Sequence, residues 1–134
     1  MIDLLYKDLT YKIRGACFDV HRELIGTFNE KVIEKALIKA LKEKGLTIQT
    51  QKRIDLYFQG EKIGTYIPDI IVEEKILIEL KAQPALTIKD RRQFWSYLKS
   101  STYKVGLLIN FGTRLEIIRR VYDTARKKIP RNSA

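Results

Sequence analysis

Asp69, Glu79 and Lys81 are the three side chains of this sequence whose types and spacing combine into chemistry. They lie in Tyr66-Ile-Pro-Asp-Ile-Ile-Val-Glu-Glu-Lys-Ile-Leu-Ile-Glu-Leu-Lys81, two isoleucine-rich runs divided by the charged turn Glu73-Glu74-Lys75. Such runs favour strand, and a short polar break between them predicts an antiparallel hairpin. With the turn centred on Glu74, Val72 faces Ile76, Ile70 faces Ile78 and Asp69 faces Glu79. Side chains alternate between faces of a strand. One face then carries Ile70, Val72, Ile76, Ile78 and Leu80, and the other Asp69, Ile71, Leu77, Glu79 and Lys81. Two carboxylates directly opposed repel. A hard divalent cation such as Mg²⁺ reverses the sign, because it takes carboxylate oxygens and water as ligands. Lys81, pointing the same way as Glu79, can steady an attacking water or the charge building on a phosphate. The pattern fits a hydrolytic metal site. A hairpin with one solvated face, where Asp, Glu and Lys occur by default, is the competing reading.

The elements that must position these groups follow from periodicity. Residues 4 to 24 place Leu5, Leu9, Ile13, Ala16, Cys17, Val20 and Leu24 at helical spacing, an amphipathic first helix. Gly15 weakens it or admits a close neighbour. His21 sits at the edge of the stripe and reads as structural rather than as a ligand. Thr27 can cap a second helix, with Glu30 at the capping-box distance, and Phe28, Val32, Ile33, Ala36, Leu37, Ala40 and Leu41 form its buried stripe. Glu30 has two readings, a cap with a favourable dipole contact or a third acid aimed at the metal site. Residues 46 to 58 read as a strand or two, 59 to 62 as a turn, and 63 to 72 as the strand carrying Asp69. Pro68 has no N–H to donate, so that strand is irregular or at an edge there. Thr87 is expected to cap a third helix to about Lys99. Val105-Gly-Leu-Leu-Ile-Asn110 is typical of a buried central strand, and residues 115 to 121 form a last strand or begin a helix.

The formal net charge of +10 on 134 residues favours polyanionic partners, nucleic acid before an anionic membrane. On the third helix Lys89, Arg91, Arg92 and Lys99 interleave with Phe94, Trp95 and Tyr97. That mixture suits a phosphate backbone with stacked bases, and equally an amphipathic helix covering a sheet. The apolar fraction of 45% and charged fraction of 31% are those of a globular chain. We expect one domain over residues 1–125, a basic flexible tail over 126–134, and a cytoplasmic location. The single cysteine, Cys17, allows no intramolecular disulfide and reads as core, and one cysteine with one histidine exclude a thiolate or imidazole zinc site within one chain.

Several stretches together resemble one family, the GxxExxY proteins of the PD-(D/E)XK nuclease superfamily. They are His21-Arg-Glu-Leu24, Phe28-Asn-Glu30, Asp69 with Glu79-Leu-Lys81, Gln93 with Tyr97-Leu98, and Val105-Gly-Leu-Leu-Ile-Asn-Phe-Gly112. The family's signature glycine falls on Thr27 and its tyrosine on Ile33, while Glu30 is retained. The resemblance implies an α/β fold, a mixed central sheet flanked by helices in αβββαβ order, the restriction-endonuclease-like core. It implies Mg²⁺-dependent cleavage of phosphodiester bonds; we expect that Mn²⁺ can substitute and that DNA comes before RNA as the substrate. Asp69, Glu79 and Glu30 would hold the metal, Lys81 would stand beside the water, and Gln93 would contribute from the third helix. A homodimer is expected by the same analogy. Two other functions compete: a nucleic-acid-binding module of the same fold without useful turnover, motivated by the lost glycine and tyrosine, and a partner-binding subunit of a defence or toxin–antitoxin system.

Overall fold

The computed structural model describes residues 5–26 and 29–123. The expected basic tail over 126–134 lies outside them, as do Thr27 and Phe28. Helix α1 (Lys7–Leu24) and helix α2 (Glu30–Glu43) come first, then strands β1 (Ile48–Gln49), β2 (Ile54–Phe58), β3 (Glu61–Tyr66), β4 (Ile70–Val72) and β5 (Ile76–Lys81). Helix α3 (Ile88–Ser100) crosses over to β6 (Val105–Phe111), and β7 (Leu115–Val121) follows. The main sheet runs β1-β4-β5-β6-β7, and β2 and β3 form a separate two-stranded sheet. Strand β5 pairs parallel with β6, the one parallel step among the described residues, and α3 supplies the crossover such a step requires. The fold is thus the mixed five-stranded sheet flanked by helices expected from the resemblance.

Two apolar layers sandwich the sheet. Ile13, Ala16, Cys17 and Val20 of α1 and Ile33, Leu37 and Leu41 of α2 pack with Ile70, Val72, Ile76, Ile78 and Leu80. The helical period chose those helix positions and the strand period chose the sheet face. On the other side Ile71 and Leu77 pack with Ile54, Leu56 and Tyr66 of the small sheet and Leu98 of α3. The face that carries the acids is therefore covered rather than solvated, and only its far end reaches solvent.

The hairpin register is the one read from the sequence: Ile70 opposes Ile78, Ile71 opposes Leu77 and Val72 opposes Ile76. Its turn places Glu73 and Glu74 at φ 54° and 56°, the left-handed region that suits a hairpin loop. Glu73 holds that turn against the entry to β1, its N–H donating to the Thr47 carbonyl and its carboxylate accepting from the Thr47 N–H.

Two local expectations need correction. The strand expected over 63–72 is two strands in different sheets, parted at Ile67-Pro68-Asp69. The proline that cannot join a ladder stands where the chain leaves one sheet for the other. Strand β3 also begins at Glu61, so the turn there is shorter than 59–62. Helix α2 is capped by Asn29, whose side chain accepts from the N–H groups of Lys31 and Val32. Glu30 is its first residue, and Val32, expected in the buried stripe, is exposed.

Candidate active site

The break at Pro68 aims Asp69. Its Oδ2 accepts from the backbone N–H of Leu80 at 2.7 Å, which pins the carboxylate across the end of β5 beside Glu79. Burial pushes the Asp69 carboxyl above the usual carboxylate range, against the pull of the Leu80 N–H, Lys81 and Lys31. Glu79 is pushed up to about 7, first by burial and then by the charge of Asp69, with the Tyr66 hydrogen bond, then Lys81, opposing. Both acids are short of water and repel one another, and both feel the ammonium of Lys81. A divalent cation relieves that arrangement.

Tyr66, the last residue of β3, crosses from the small sheet. Its hydroxyl donates to Glu79 Oε1, and its ring stacks on Tyr97 of α3 with centroids 4.1 Å apart and planes 17° apart. Tyr66 is buried, and burial together with Glu79 holds its phenol far above the ordinary value. Lys81 lies 4.0 Å from Asp90 Oδ1, with both side chains largely buried. Asp90 also completes the Thr87 capping box at the start of α3 and accepts from Gln83 Nε2 at 2.6 Å. The backbone N–H of Thr87 is the main cause of Asp90's lowered carboxyl.

Below this, Asn110 is fully buried at the end of β6. Its Oδ1 accepts from the Gln83 N–H at 3.0 Å, and its Nδ2 donates to the Gln83 carbonyl at 2.8 Å and to Glu116 at 3.1 Å. The loop leaving Lys81 is thus fixed to the neighbouring strand. His21 Nε2 donates to the Gly112 carbonyl at 2.9 Å, the structural role expected of it. Cys17 is buried core, its thiol pushed up to about 12 by desolvation.

The predicted residues divide. Asp69, Glu79 and Lys81 are brought together. Glu30 is exposed at the start of α2, near enough for its charge to raise Glu79. Among the described residues no three acids, histidines or cysteines gather closely enough to hold one ion. Gln93 is exposed on α3, and no hydrogen bond among the described residues links it to the acids. Lys89, Arg91 and Arg92 are exposed on the same helix, with Arg91 3.9 Å from Glu116. Lys99 sits 5.5 Å from the centroid of the Trp95 ring, a cation–π contact. One face of the Tyr97 ring is taken by Tyr66.

Four residues escaped the sequence reading: Tyr66, Asp90, Lys31 and Glu34. Glu34 is half-buried, and its carboxyl is raised by burial and then by Asp69. Its position one helical turn after Glu30 was the available signal. Tyr66 gave none, because its contact with Glu79 spans two sheets.

The donor set suits a hard cation. Asp69 Oδ1 and Glu79 Oε2 are not used by the bonds to Leu80 and Tyr66, and Mg²⁺ is commonly held by one or two carboxylates with water completing its shell. The family model described as the PD-(D/E)XK nuclease superfamily matches residues 7–121. No curated protein and no solved structure matches the chain.

Proposed function

The chain belongs to the PD-(D/E)XK nuclease superfamily, and from that premise we propose that it is a Mg²⁺-dependent nuclease hydrolysing phosphodiester bonds in DNA. The observation that carries the reading is the pair Asp69 and Glu79, both with raised carboxyls, facing one ammonium at the open end of the sheet. Asp69 and Glu79 are the ligands, and Glu30 adds negative charge from the start of α2. A divalent ion held there supplies positive charge to the phosphate and acidity to a water. The Leu80 N–H and the Tyr66 hydroxyl fix the two carboxylates before substrate arrives, so little reorganisation remains for the reaction. Lys81 orients the attacking water and meets the charge that grows on the phosphoryl oxygens, with Asp90 holding the amine in place. The exposed cations Lys89, Arg91 and Arg92 take the flanking backbone, and Gln93 shares their helix.

The finer placement, in the GxxExxY branch, belongs to the same proposal. It is supported by Glu30, retained at the start of α2, while the family's glycine and tyrosine positions are taken by Thr27 and Ile33. Incubation of plasmid and single-stranded DNA with Mg²⁺ or Mn²⁺ tests the reading. We expect cleavage by the parent and at least about a hundredfold less by Asp69→Ala and Lys81→Ala. Cleavage that survives in both variants, or a parent that binds DNA and never cuts it, overturns it.

A further inference from the structure

We propose that the outer edge of β7 is a docking surface for a second copy of this chain, which adds its own β7 antiparallel and makes the two sheets one. Strand β7 ends the strand order and is seven residues long, whereas β1 at the opposite edge has two. Its pairing with β6 is regular throughout, and it contains no proline. Bulges and prolines are among the features that blunt such an edge. The direction of its backbone groups follows from one bond. The Tyr122 N–H donates to the Lys104 carbonyl, so Tyr122, Arg120, Ile118 and Glu116 turn their backbone groups toward β6. Leu115, Ile117, Arg119 and Val121 turn theirs outward, and their N–H groups have no partner among the described residues.

A two-fold axis at Ile118 matches this edge to itself. Leu115 then opposes Val121 of the second copy, and Ile117 opposes its Arg119. Outward groups meet outward groups, and the whole strand pairs. Between them Glu116 opposes Arg120, twice by symmetry, and Ile118 opposes its own counterpart. Opposite charges facing across a strand pair stabilise it, and like charges do the reverse. An axis at Arg119 would set two guanidiniums face to face, and an axis at Ile117 would leave Glu116 against Ile118. Both ends of the ion pair are in place beforehand. Glu116 Oε1 accepts from Asn110 Nδ2 and from the Leu86 N–H, which leaves Oε2 to cations. Arg120 is exposed, and its Nη1 donates to the outward Arg119 carbonyl at 3.2 Å, so the guanidinium lies along the edge.

A second feature lies beside the same edge. Tyr11 of α1 is 78% exposed, and with Arg119 it lines a cleft of about 420 Å³ between α1 and β7. Arg119 opposes Leu107, which belongs to the layer under α1, and cross-strand partners share a face. Ile117 of the second copy, set opposite Arg119, therefore enters that cleft beside Tyr11. Residues 124–134, which follow β7 in the chain, contain Arg126, Lys127, Lys128 and Arg131 and offer no acid to Arg120. The copy's Glu116 does.

Sedimentation of the metal-free protein tests the proposal independently of any hydrolysis. The buffer contains about 0.3 M salt, which screens the +10 carried by each copy. The parent is compared with Arg120→Glu, Ile117→Pro and Asp69→Ala. The N–H that Ile117→Pro removes points outward, so the ladder to β6 keeps its bonds. Arg120 is exposed, so Arg120→Glu keeps the fold even where Ile117→Pro does not. At about 100 µM we expect the parent at twice the chain mass and Ile117→Pro as a monomer. Arg120→Glu, which opposes Glu116 with a second acid, is expected to raise the dissociation constant at least about tenfold. Asp69→Ala is expected to pair as the parent does, so a failed nuclease reading leaves this one standing. A parent that is monomeric at that concentration overturns the proposal. So does a dimer that Arg120→Glu leaves equally tight, because its contacts then lie elsewhere.

Discussion

The hydroxyl of Tyr66 donates to Glu79 Oε1, a contact that joins the small sheet to the main one at the acid most displaced from its ordinary titration. The bond favours the charged form of Glu79 and leaves its other oxygen for a ligand. Tyr66→Phe keeps the stack on Tyr97 and removes only the donor. Groups that orient a ligand in this way typically contribute ten- to hundredfold to metal affinity. We expect Mn²⁺ affinity, measured by calorimetry, to fall at least about tenfold, with a melting temperature close to the parent's. An unchanged affinity would show that burial alone orients Glu79.

The same acid makes stability depend on pH in a stated direction. Its folded value, about 7, lies above the ordinary 4.5, so the folded state holds the proton more tightly than the unfolded chain. Its contribution is complete below about 4.5 and is lost as pH rises through about 7. A displacement of that size is worth on the order of 3 kcal/mol. Asp69 and Glu34 are displaced in the same direction, whereas the lowered Asp90 acts oppositely and only in more acid solution. Without metal, the protein is expected to melt higher at pH 5.5 than at pH 8, and Mg²⁺ is expected to raise the melting temperature at pH 8 alone. Glu79→Gln should remove most of the difference. A metal-free melting temperature that rises from pH 5.5 to pH 8 would contradict the assignment.

How much of this was legible in the residues follows from what each contact depends on. The hairpin register was readable because a slip of one residue would turn Glu79 into the wholly apolar layer under α1 and α2, so the hydrophobic pattern specifies it. The same pattern gave the stripes of both first helices and the buried run of β6. The division of residues 63–72 between two sheets was not readable, because alternation is the same in either sheet. Only Pro68 marked the place. The cap of α2 was misplaced by two residues because Thr27 and Asn29 are both good cap residues and only the path of the chain chooses between them. Asp69, Glu79 and Lys81 lie on one hairpin, where spacing alone brings them together. Tyr66, Asp90 and Glu34 approach from other elements, and no local pattern encodes that approach.

Gly112 is held tightly at the floor of the site. A Cβ added there would stand 2.5 Å from the Gln83 carbonyl oxygen and 3.1 Å from that of Pro84, both backbone atoms. The Gln83 loop cannot give way cheaply, because Asn110 binds its N–H and its carbonyl. We expect Gly112→Ala to destabilise the protein by about 2–4 kcal/mol in urea denaturation. Asn110→Ala, which strips all three side-chain bonds from a fully buried position, should cost about 2–3 kcal/mol. Because both act through the one loop, the double variant should cost less than the sum. Strict additivity would show that the loop is not their shared element.

Asp90 serves three groups at once, the start of α3, the Gln83 amide and the amine of Lys81, and the first can be separated from the others. Thr87→Ala removes the side-chain half of the capping box, at about 1 kcal/mol, and leaves the acid beside Lys81. Asp90→Ala removes the other half of the box and the acid together. If Asp90 serves only the helix and the Gln83 loop, the two variants should cleave alike at matched stability. If it also holds Lys81 against the phosphate, Asp90→Ala should cleave about tenfold more slowly than Thr87→Ala at matched stability, since loss of alignment slows a reaction without weakening binding. The second outcome is the one we expect, because Lys81 and Asp90 are 25% and 16% exposed, and an amine with so little water around it keeps the geometry its neighbour sets. Equal rates in the two variants would confine Asp90 to the helix and the Gln83 loop.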